Sequence, residues 1–175
     1  MKNIKLRLTI MNFLQYAVWG SWLISLGAYL GVTLKFSGGE IGSFFATMGI
    51  ASLFMPAIMG VIADRWVPAQ RLLGVSHLLA AAFMIAASMQ DSYQTLYPLV
   101  LCSVMFYMPT IALSNTVAYN ALNKANLDTV KAFPPIRVWG TVGFICAMWA
   151  VDLMGWGLSA TQMQLSAALG ILLGL

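Results

Sequence analysis

The chain has 175 residues, of which 61% are hydrophobic and only 8% are charged, and its mean hydropathy is +0.84. A soluble domain carries about 25% charged residues, so this composition excludes a water-soluble domain and indicates an integral membrane protein. The net charge of +4 does not indicate nucleic-acid binding, because the basic residues flank apolar segments. The two cysteines, Cys102 and Cys146, lie inside apolar runs and are interpreted as small hydrophobic residues.

The first apolar segment covers residues 8–34 and follows a basic N-terminus. Its 27 uncharged residues exceed the apolar core of a cleavable signal peptide, which is about 7–15 residues long. The segment is also long enough to cross a hydrocarbon layer of about 30 Å. We therefore expect it to stay in the membrane as the first helix.

Polar and aromatic side chains share one face of this helix, within an arc of about 120°: Asn12, Gln15, Tyr16, Trp19 and Trp22. Because amides are costly in hydrocarbon unless they are hydrogen-bonded, this face is expected to point into the protein. Two interpretations are open: the face lines a substrate path, or its side chains bond to a neighbouring helix. Elsewhere on the same helix, Gly27 and Gly31 form a small-x-x-x-small pattern that permits close packing.

The second predicted span, about residues 41–63, leads into the motif Gly60-Val-Ile-Ala-Asp64-Arg65. The motif resembles the major facilitator superfamily signature between the second and third helices, a glycine followed four residues later by Asp-Arg. The pattern departs from the signature beyond Trp66, because residues 67–69 are not its further glycine and basic residues. Asp64 and Arg65 are expected to act as a gate that latches one conformation; the alternative is an ordinary charged turn.

The third and fourth predicted spans cover about residues 72–89 and 95–118. His77 in the third span is either a hydrogen-bonded packing residue or a proton-responsive group. In the fourth span, hydroxyl-bearing side chains recur at steps of four, three and four and so share one face: Ser103, Tyr107, Thr110 and Ser114. Each alone could bond to its own helix, but together with the first helix they indicate a polar cavity.

The fifth predicted span, about residues 134–154, begins with Pro134 and Pro135. Proline suits the first position of a helix, so the pair predicts a helix start. Arg137 would then oppose the helix dipole in the first turn. Arg137, Thr141 and Phe144 share one face of this helix. Either this face lines a pocket, or Arg137 extends toward the lipid headgroups as an anchor.

The sixth apolar run, residues 162–175, has 14 residues, fewer than the roughly 17 needed to cross a bilayer. We expect the chain to be a fragment that is cut inside this helix. With the N-terminus in the cytoplasm, only Lys35 of the basic residues falls outside. The other eight fall on the cytoplasmic side: Lys2, Lys5, Arg7, Arg65, Arg71, Lys124, Lys131 and Arg137. This bias predicts a cytoplasmic N-terminus.

Catalytic and metal-binding patterns are absent from the sequence. It has one histidine and no nucleophile elbow, zinc motif or phosphate-binding loop. No pair of carboxylates lies within a predicted span. We therefore expect neither an enzyme nor a bound metal or cofactor.

Four stretches together resemble the nucleoside:proton symporters of the major facilitator superfamily: 13–22, 32–36, 107–110 and 133–144. The resemblance covers nearly the whole chain. It implies an all-α membrane protein with two six-helix bundles, of which this chain would be the N-terminal one. It also implies proton-driven nucleoside uptake across a bacterial inner membrane, with the missing C-terminal half completing the transporter.

The resemblance further implies that Arg137, Thr141 and Phe144 contact the nucleoside, and we add Gln15, Trp19 and Tyr107 as candidate substrate-binding residues. The proton-carrying acid is then expected in the missing half, unless His77 serves that role. Two alternatives stay open from the residues alone: transport of a sugar or another polar metabolite, and a truncated membrane protein that does not transport.

Overall fold

Helices make up the whole architecture of residues 2–175, the part of the chain that the computed structural model describes, and this range contains no β-strand. Six principal helices are α1 (Lys2–Gly20), α2 (Gly38–Arg65), α3 (Ala69–Ala87), α4 (Tyr93–Lys124), α5 (Thr129–Leu153) and α6 (Thr161–Gly174). Of these, α2 to α5 are long and apolar enough to cross a membrane. The prediction of an all-α membrane protein is thereby confirmed.

The first span is not one continuous helix. After α1 ends at Gly20, residues 21–25 form a turn, and a short α-helix, Leu26–Ala28, leads into a π-helix, Tyr29–Thr33. The wide turn is visible in the backbone, where the N–H of Leu34 donates to the carbonyl of Tyr29. A π-turn shifts the register of side chains around the axis. The 3.6-residue periodicity that orders α1 therefore does not extend beyond Gly20.

The start of α5 differs from the sequence prediction. The helix begins at Thr129, where the carboxylate of Asp128 accepts hydrogen bonds from the N–H groups of Val130 and Lys131. This N-cap satisfies two of the free N–H groups of the first turn. Pro134 and Pro135 consequently lie inside the helix, and Arg137 lies eight residues beyond Thr129. The predicted conflict between Arg137 and the helix dipole does not arise.

The helices pack in interleaved pairs. The most extensive contacts join α1 to α5, α3 to α4, α2 to α4 and α3 to α6, and α6 also packs against α1. The contacts show an internal symmetry in which α1, α2 and α3 correspond to α4, α5 and α6. The α1–α5 contact then corresponds to the α4–α2 contact, and the α3–α4 contact corresponds to the α6–α1 contact. Such a pattern is typical of transporters built from internal repeats near a shared substrate site.

Glycines set the closest helix contacts. A Cβ atom added at Gly143 in α5 would overlap the carbonyl oxygen of Phe13 in α1, and one added at Gly20 would overlap the carbonyl oxygen of Phe144. Backbones can approach this closely only where no side chain intervenes. The Gly27 and Gly31 pattern, by contrast, meets only side chains of α2 at ordinary or slightly short distances. The closest backbone approach is therefore between α1 and α5, and Gly74 in α3 with Gly174 in α6 forms a second close contact.

Candidate functional site

Arg137 in α5 is held by Tyr16 in α1. Its terminal nitrogen Nη2 donates a hydrogen bond of 2.6 Å to the Tyr16 hydroxyl, and its Cζ atom lies 4.0 Å from the centre of the Tyr16 ring. The guanidinium group thus receives both a hydrogen-bond acceptor and a cation–π contact. Arg137 remains partly exposed, so its charge is fixed in position without being enclosed.

Gly140 provides the space for this contact. A Cβ atom at Gly140 would lie 2.6 Å from a ring carbon of Tyr16 and 2.9 Å from Nη1 of Arg137. Both distances are far below van der Waals contact. The pairing of Arg137 with Tyr16 therefore depends on a glycine one turn further along α5, which the sequence analysis did not single out. Its spacing of three residues from Gly143 was the available signal.

An aromatic cluster continues the same face. The Trp19 ring meets Phe144 edge-on, with centroids 6.1 Å apart, and meets Tyr107 at 6.2 Å. Edge-to-face geometry is favourable for aromatic rings at such separations. Trp19 and Phe144 are half-buried. Nε1 of Trp19 is a buried donor without a hydrogen-bond partner among the described residues. Helices α1, α4 and α5 thus each contribute one ring.

Thr141 lies one turn beyond Arg137 on the exposed side of α5. Within residues 2–175 its hydroxyl forms no side-chain hydrogen bond with another helix. We name Arg137, Thr141 and Phe144, together with Tyr16, the open cluster. The open cluster presents a cation, a hydroxyl and an aromatic ring on one partly exposed face.

A second polar group lies deeper, between α1, α3 and α4. Gln15 Nε2 donates to Thr110 Oγ1 at 2.7 Å, while Gln15 Oε1 lies 2.8 Å from His77 Nε2. The Tyr107 hydroxyl donates to the backbone carbonyl of Gln15 at 2.6 Å, and Thr110 Oγ1 donates to the carbonyl of Tyr107. All four side chains are buried. We name Gln15, His77, Thr110 and Tyr107 the closed cluster.

On the predicted polar face of the fourth helix, some hydroxyl groups bond to other helices and others bond within the same helix. Ser103 donates to the carbonyl of Ala80 in α3 at 2.8 Å, whereas Ser114 donates to the carbonyl of Ile111 in its own helix. Only Tyr107 and Thr110 reach α1. A small cavity of about 10 Å³ lies among Ser103, Tyr107 and His77, large enough for about one water molecule. The fourth helix therefore contributes to the bundle interior rather than to a large cavity.

Hydrogen bonds that join α1 and the turn after it to α6 were not predicted from the sequence. Ser166 donates to the carbonyl of Val18 at 2.8 Å, and Ser25 donates to Oε1 of Gln162 at 2.8 Å. Gln162 is completely buried although it stands at the start of α6. These bonds join the last helix to the first. A glutamine within an apolar run was the available sequence signal.

Asp64 and Arg65 end α2 on the surface of the described chain, and both are exposed. The salt bridge that the structure shows within residues 2–175 joins Lys131 to Asp128 at 3.7 Å, and it involves neither of them. The same range contains no group of three or more His, Cys, Asp or Glu residues that could hold a metal ion. The predicted gate therefore has free charged groups on the surface of this bundle.

A family profile described as "Nucleoside H+ symporter" matches residues 1–175. The nucleoside permease NupG of Escherichia coli (strain K12) is 44% identical over 171 residues, which are 98% of this chain and 41% of NupG. The xanthosine permease of the same organism is 47% identical over 171 residues, again 98% of this chain and 41% of the relative. Two crystal structures of the nucleoside transporter NupG match with TM-scores of 0.96 and 0.95, covering 98% of this chain and 42% of theirs.

The chain thus spans about 41% of the length of these curated relatives. The matches agree with the predicted resemblance in both sequence and fold, since 44% identity accompanies a TM-score of 0.96. Both relatives are named as permeases, which are transport proteins. Because the profile covers the whole sequence, the chain belongs to the nucleoside H+ symporter family.

Proposed function

We propose that the chain is the N-terminal half of a transporter that takes up nucleosides with protons across a bacterial inner membrane by alternating access. The single observation that carries this proposal is the open cluster, in which Arg137 is positioned by Tyr16 but keeps a partly exposed guanidinium group. A fixed, accessible cation beside aromatic rings suits a ligand with both a π-face and hydrogen-bond acceptors. Nucleosides have both.

Within this proposal, the residues of the open cluster and the neighbouring Trp19 have separate roles. A guanidinium group has five N–H donors, and one of those of Arg137 is used by Tyr16. The others can donate to base carbonyls or ribose hydroxyls. Stacking of a base on an aromatic ring contributes about 1–3 kcal/mol, so Phe144 and Trp19 can hold the base. The Thr141 hydroxyl can donate to or accept from the ribose.

Gln15 and Tyr107 are given a supporting role. Both were candidate substrate-binding residues, but Gln15 is 0% and Tyr107 only 3% exposed, and both are engaged in the closed cluster. We propose that they support the Trp19 ring from the interior of the protein. Trp19 lies one turn beyond Gln15 on α1 and contacts Tyr107 directly.

The proton-binding group is proposed to lie in the C-terminal half. Every carboxylate of this chain stands at a helix end or in a connection: Glu40, Asp64, Asp91, Asp128 and Asp152. None is therefore placed to carry a proton past a nucleoside held near the middle of α5. Asp64 and Arg65 are proposed to latch one conformation against that second half, since both side chains are free for such a contact.

Uptake of labelled uridine by cells that express the full-length transporter tests the proposal. We expect unlabelled nucleosides to compete, hexoses not to compete, and a protonophore to abolish accumulation. A matched strain that carries the empty vector gives the background. Competition by hexoses but not by nucleosides would show that the substrate is a sugar. Full accumulation in the presence of the protonophore would show that transport is not coupled to protons.

The proposed orientation, with a cytoplasmic N-terminus, has its own test. Lys5→Cys and Lys35→Cys place thiols at exposed positions on opposite sides of the first span, in a full-length background from which the native cysteines have been removed. A membrane-impermeant maleimide added to intact cells should label only the Lys35→Cys protein, and opening the membrane should expose the other site. The reverse pattern would invert the topology.

A further inference from the structure

The closed cluster fixes which ring nitrogen of His77 carries the proton. Thr110 donates its hydroxyl proton to the carbonyl of Tyr107, so Thr110 Oγ1 can only accept from Gln15. Gln15 must therefore direct its NH₂ group to Thr110 and its carbonyl oxygen to His77. An amide oxygen accepts but does not donate. The ring nitrogen that faces it, Nε2 of His77, consequently carries the hydrogen.

The other ring nitrogen has no comparable partner. Nδ1 of His77 is buried and forms no hydrogen bond with the described residues. Adding a proton there would create a donor without an acceptor and a full charge in an apolar interior, and both are costly. The cavity of about 10 Å³ that His77 lines leaves room for about one water. One water does not replace a counter-ion.

The helices around His77 supply no negative charge. Tyr107 of α4 is the titratable group in contact with it, at 5.9 Å between ring centroids. On α1, which carries no carboxylate, Tyr16 follows Gln15 and faces Arg137. On α6, Gly170 packs near the backbone carbonyl of His77, and α6 has no ionisable side chain. The surroundings therefore favour a neutral ring.

We propose that His77 is a neutral positioning residue that fixes Gln15 through its Nε2–H group, and that it does not carry the transported proton. This inference rests on the proposed function. Its path to the substrate face has three steps. His77 orients the side chain of Gln15, the backbone of Gln15 accepts from Tyr107, and Tyr107 packs on Trp19 beside Phe144.

Two substitutions in the full-length transporter separate the two roles of a histidine. His77→Gln places an amide N–H near the position of Nε2 and cannot titrate in the physiological range, whereas His77→Asn is too short to reach Gln15. We expect H77Q to keep the KM for uridine within about threefold of the wild-type value and to keep accumulation driven by a pH gradient. We expect H77N to raise KM about tenfold, a loss of roughly 1.4 kcal/mol, with a smaller change in maximal rate.

A double-variant cycle provides the second measurement. If His77 acts through Gln15, combining H77N with Gln15→Leu should raise KM no further than Gln15→Leu alone, because both remove the same link. Independent, multiplicative effects on KM would overturn the positioning role. This measurement does not depend on whether H77Q reaches the membrane in normal amount.

The decisive outcome concerns proton coupling. An H77Q protein that still exchanges uridine across the membrane but no longer accumulates it against a gradient would make His77 the proton carrier and overturn the proposal. Thermal unfolding of the purified protein without substrate distinguishes this failure from failure of the proposed function. H77Q should unfold near the wild-type temperature and H77N clearly below it, whether or not the wild-type protein transports nucleosides.

Discussion

The open and closed clusters both combine hydroxyl groups with aromatic side chains, but they differ in exposure. In the closed cluster, a hydroxyl, an amide, a phenol and an imidazole bond to one another across three helices, and all are buried. In the open cluster, Tyr16 accepts one hydrogen bond from a guanidinium group that is otherwise free to donate, beside an exposed Thr141. Apart from Nδ1 of His77, the polar side-chain atoms of the closed cluster are bonded inside the protein, whereas the open cluster keeps free donors.

This difference fits the proposed division between residues that support helix packing and residues that bind the substrate. A polar side chain that meets all of its partners inside the protein stabilises helix packing, because the alternative is an unpaired group in an apolar medium. A polar side chain that is held in place but keeps free donors can bind a ligand. Substitutions in the closed cluster should therefore lower stability and affect affinity only indirectly, whereas substitutions in the open cluster should lower affinity directly.

The largest effect is expected where both clusters would be lost together. Gly143→Ala would force α1 and α5 apart, since its Cβ would overlap the carbonyl oxygen of Phe13. Overpacking of this kind costs about 3 kcal/mol or more when backbone must move. The amount of folded full-length protein in membranes should fall sharply, as measured by fluorescence-detection size-exclusion chromatography.

Gly49→Ala is the matched control for this prediction. Gly49 lies in α2, and nothing lies within 4 Å of an added Cβ. Alanine is the better helix former by about 0.5–1 kcal/mol, so the amount of folded protein should be unchanged or higher. Equal losses for both variants would mean that the close contact of α1 with α5 does not limit folding.

Arg137→Ala should separate the clusters most clearly. Loss of a charged donor to the substrate costs about 1.5–3 kcal/mol, which corresponds to roughly a 10- to 150-fold rise in the KM for uridine. Expression and thermal stability should stay close to wild type, because the removed side chain is partly exposed. Lys131→Ala, which removes a charge from an exposed surface pair, is the control and should leave KM unchanged. Normal uptake by the Arg137→Ala protein would make Arg137 a lipid-headgroup anchor only.

Thr110→Val tests the opposite behaviour in the closed cluster. The isosteric change leaves the Gln15 amide without its acceptor, which costs about 1–3 kcal/mol when the group is buried. The unfolding temperature of the full-length protein should fall, with a smaller change in KM than Arg137→Ala causes. Thr110→Ser keeps the hydroxyl and should recover most of the loss. A large KM change at unchanged stability would place Thr110 in the open cluster instead.

Tyr16→Phe should give the smallest effect of the series. It removes the 2.6 Å hydrogen bond to Arg137 but keeps the ring beneath the guanidinium group. One hydrogen bond contributes about 1 kcal/mol net, so KM should rise about fivefold. Tyr16→Leu removes the ring as well and should raise KM further. If Phe and Leu behave alike, the cation–π contact contributes nothing to the position of Arg137.

Much of the architecture could be predicted from the sequence, because membrane spans depend on composition over about 20 residues. The boundaries were less predictable. A proline pair suggested a helix start at Pro134, but the Asp128 N-cap begins α5 at Thr129. Proline lacks one N–H group, and a membrane helix tolerates that loss when neighbouring groups satisfy the freed carbonyls. The prediction of a helix in this region was correct, but the prediction that Pro134 begins it was wrong.

The helix face that carries the candidate site could be predicted from the sequence, but the bonding partners of its side chains could not. Periodicity placed Gln15, Tyr16 and Trp19 on one side of α1, but it could not show that Gln15 is enclosed while Tyr16 holds Arg137. That distinction depends on the neighbouring helices, and the contacts involved are up to 121 residues apart in the chain. Gly140 and Gly143 were missed because a glycine signals close approach only once its opposite helix is known.

The interleaved packing of the helices has a consequence for the order in which the protein can be completed during synthesis. Gln15 enters the membrane with the first helix, but His77 follows 62 residues later and Thr110 95 residues later. Until α3 has been inserted, the amide of Gln15 has neither of these partners, and until α4 has been inserted it still lacks Thr110. The earliest helix to be translated is therefore among the last to reach its native hydrogen bonding, and its assembly depends on segments that the ribosome has not yet made when it first meets the bilayer.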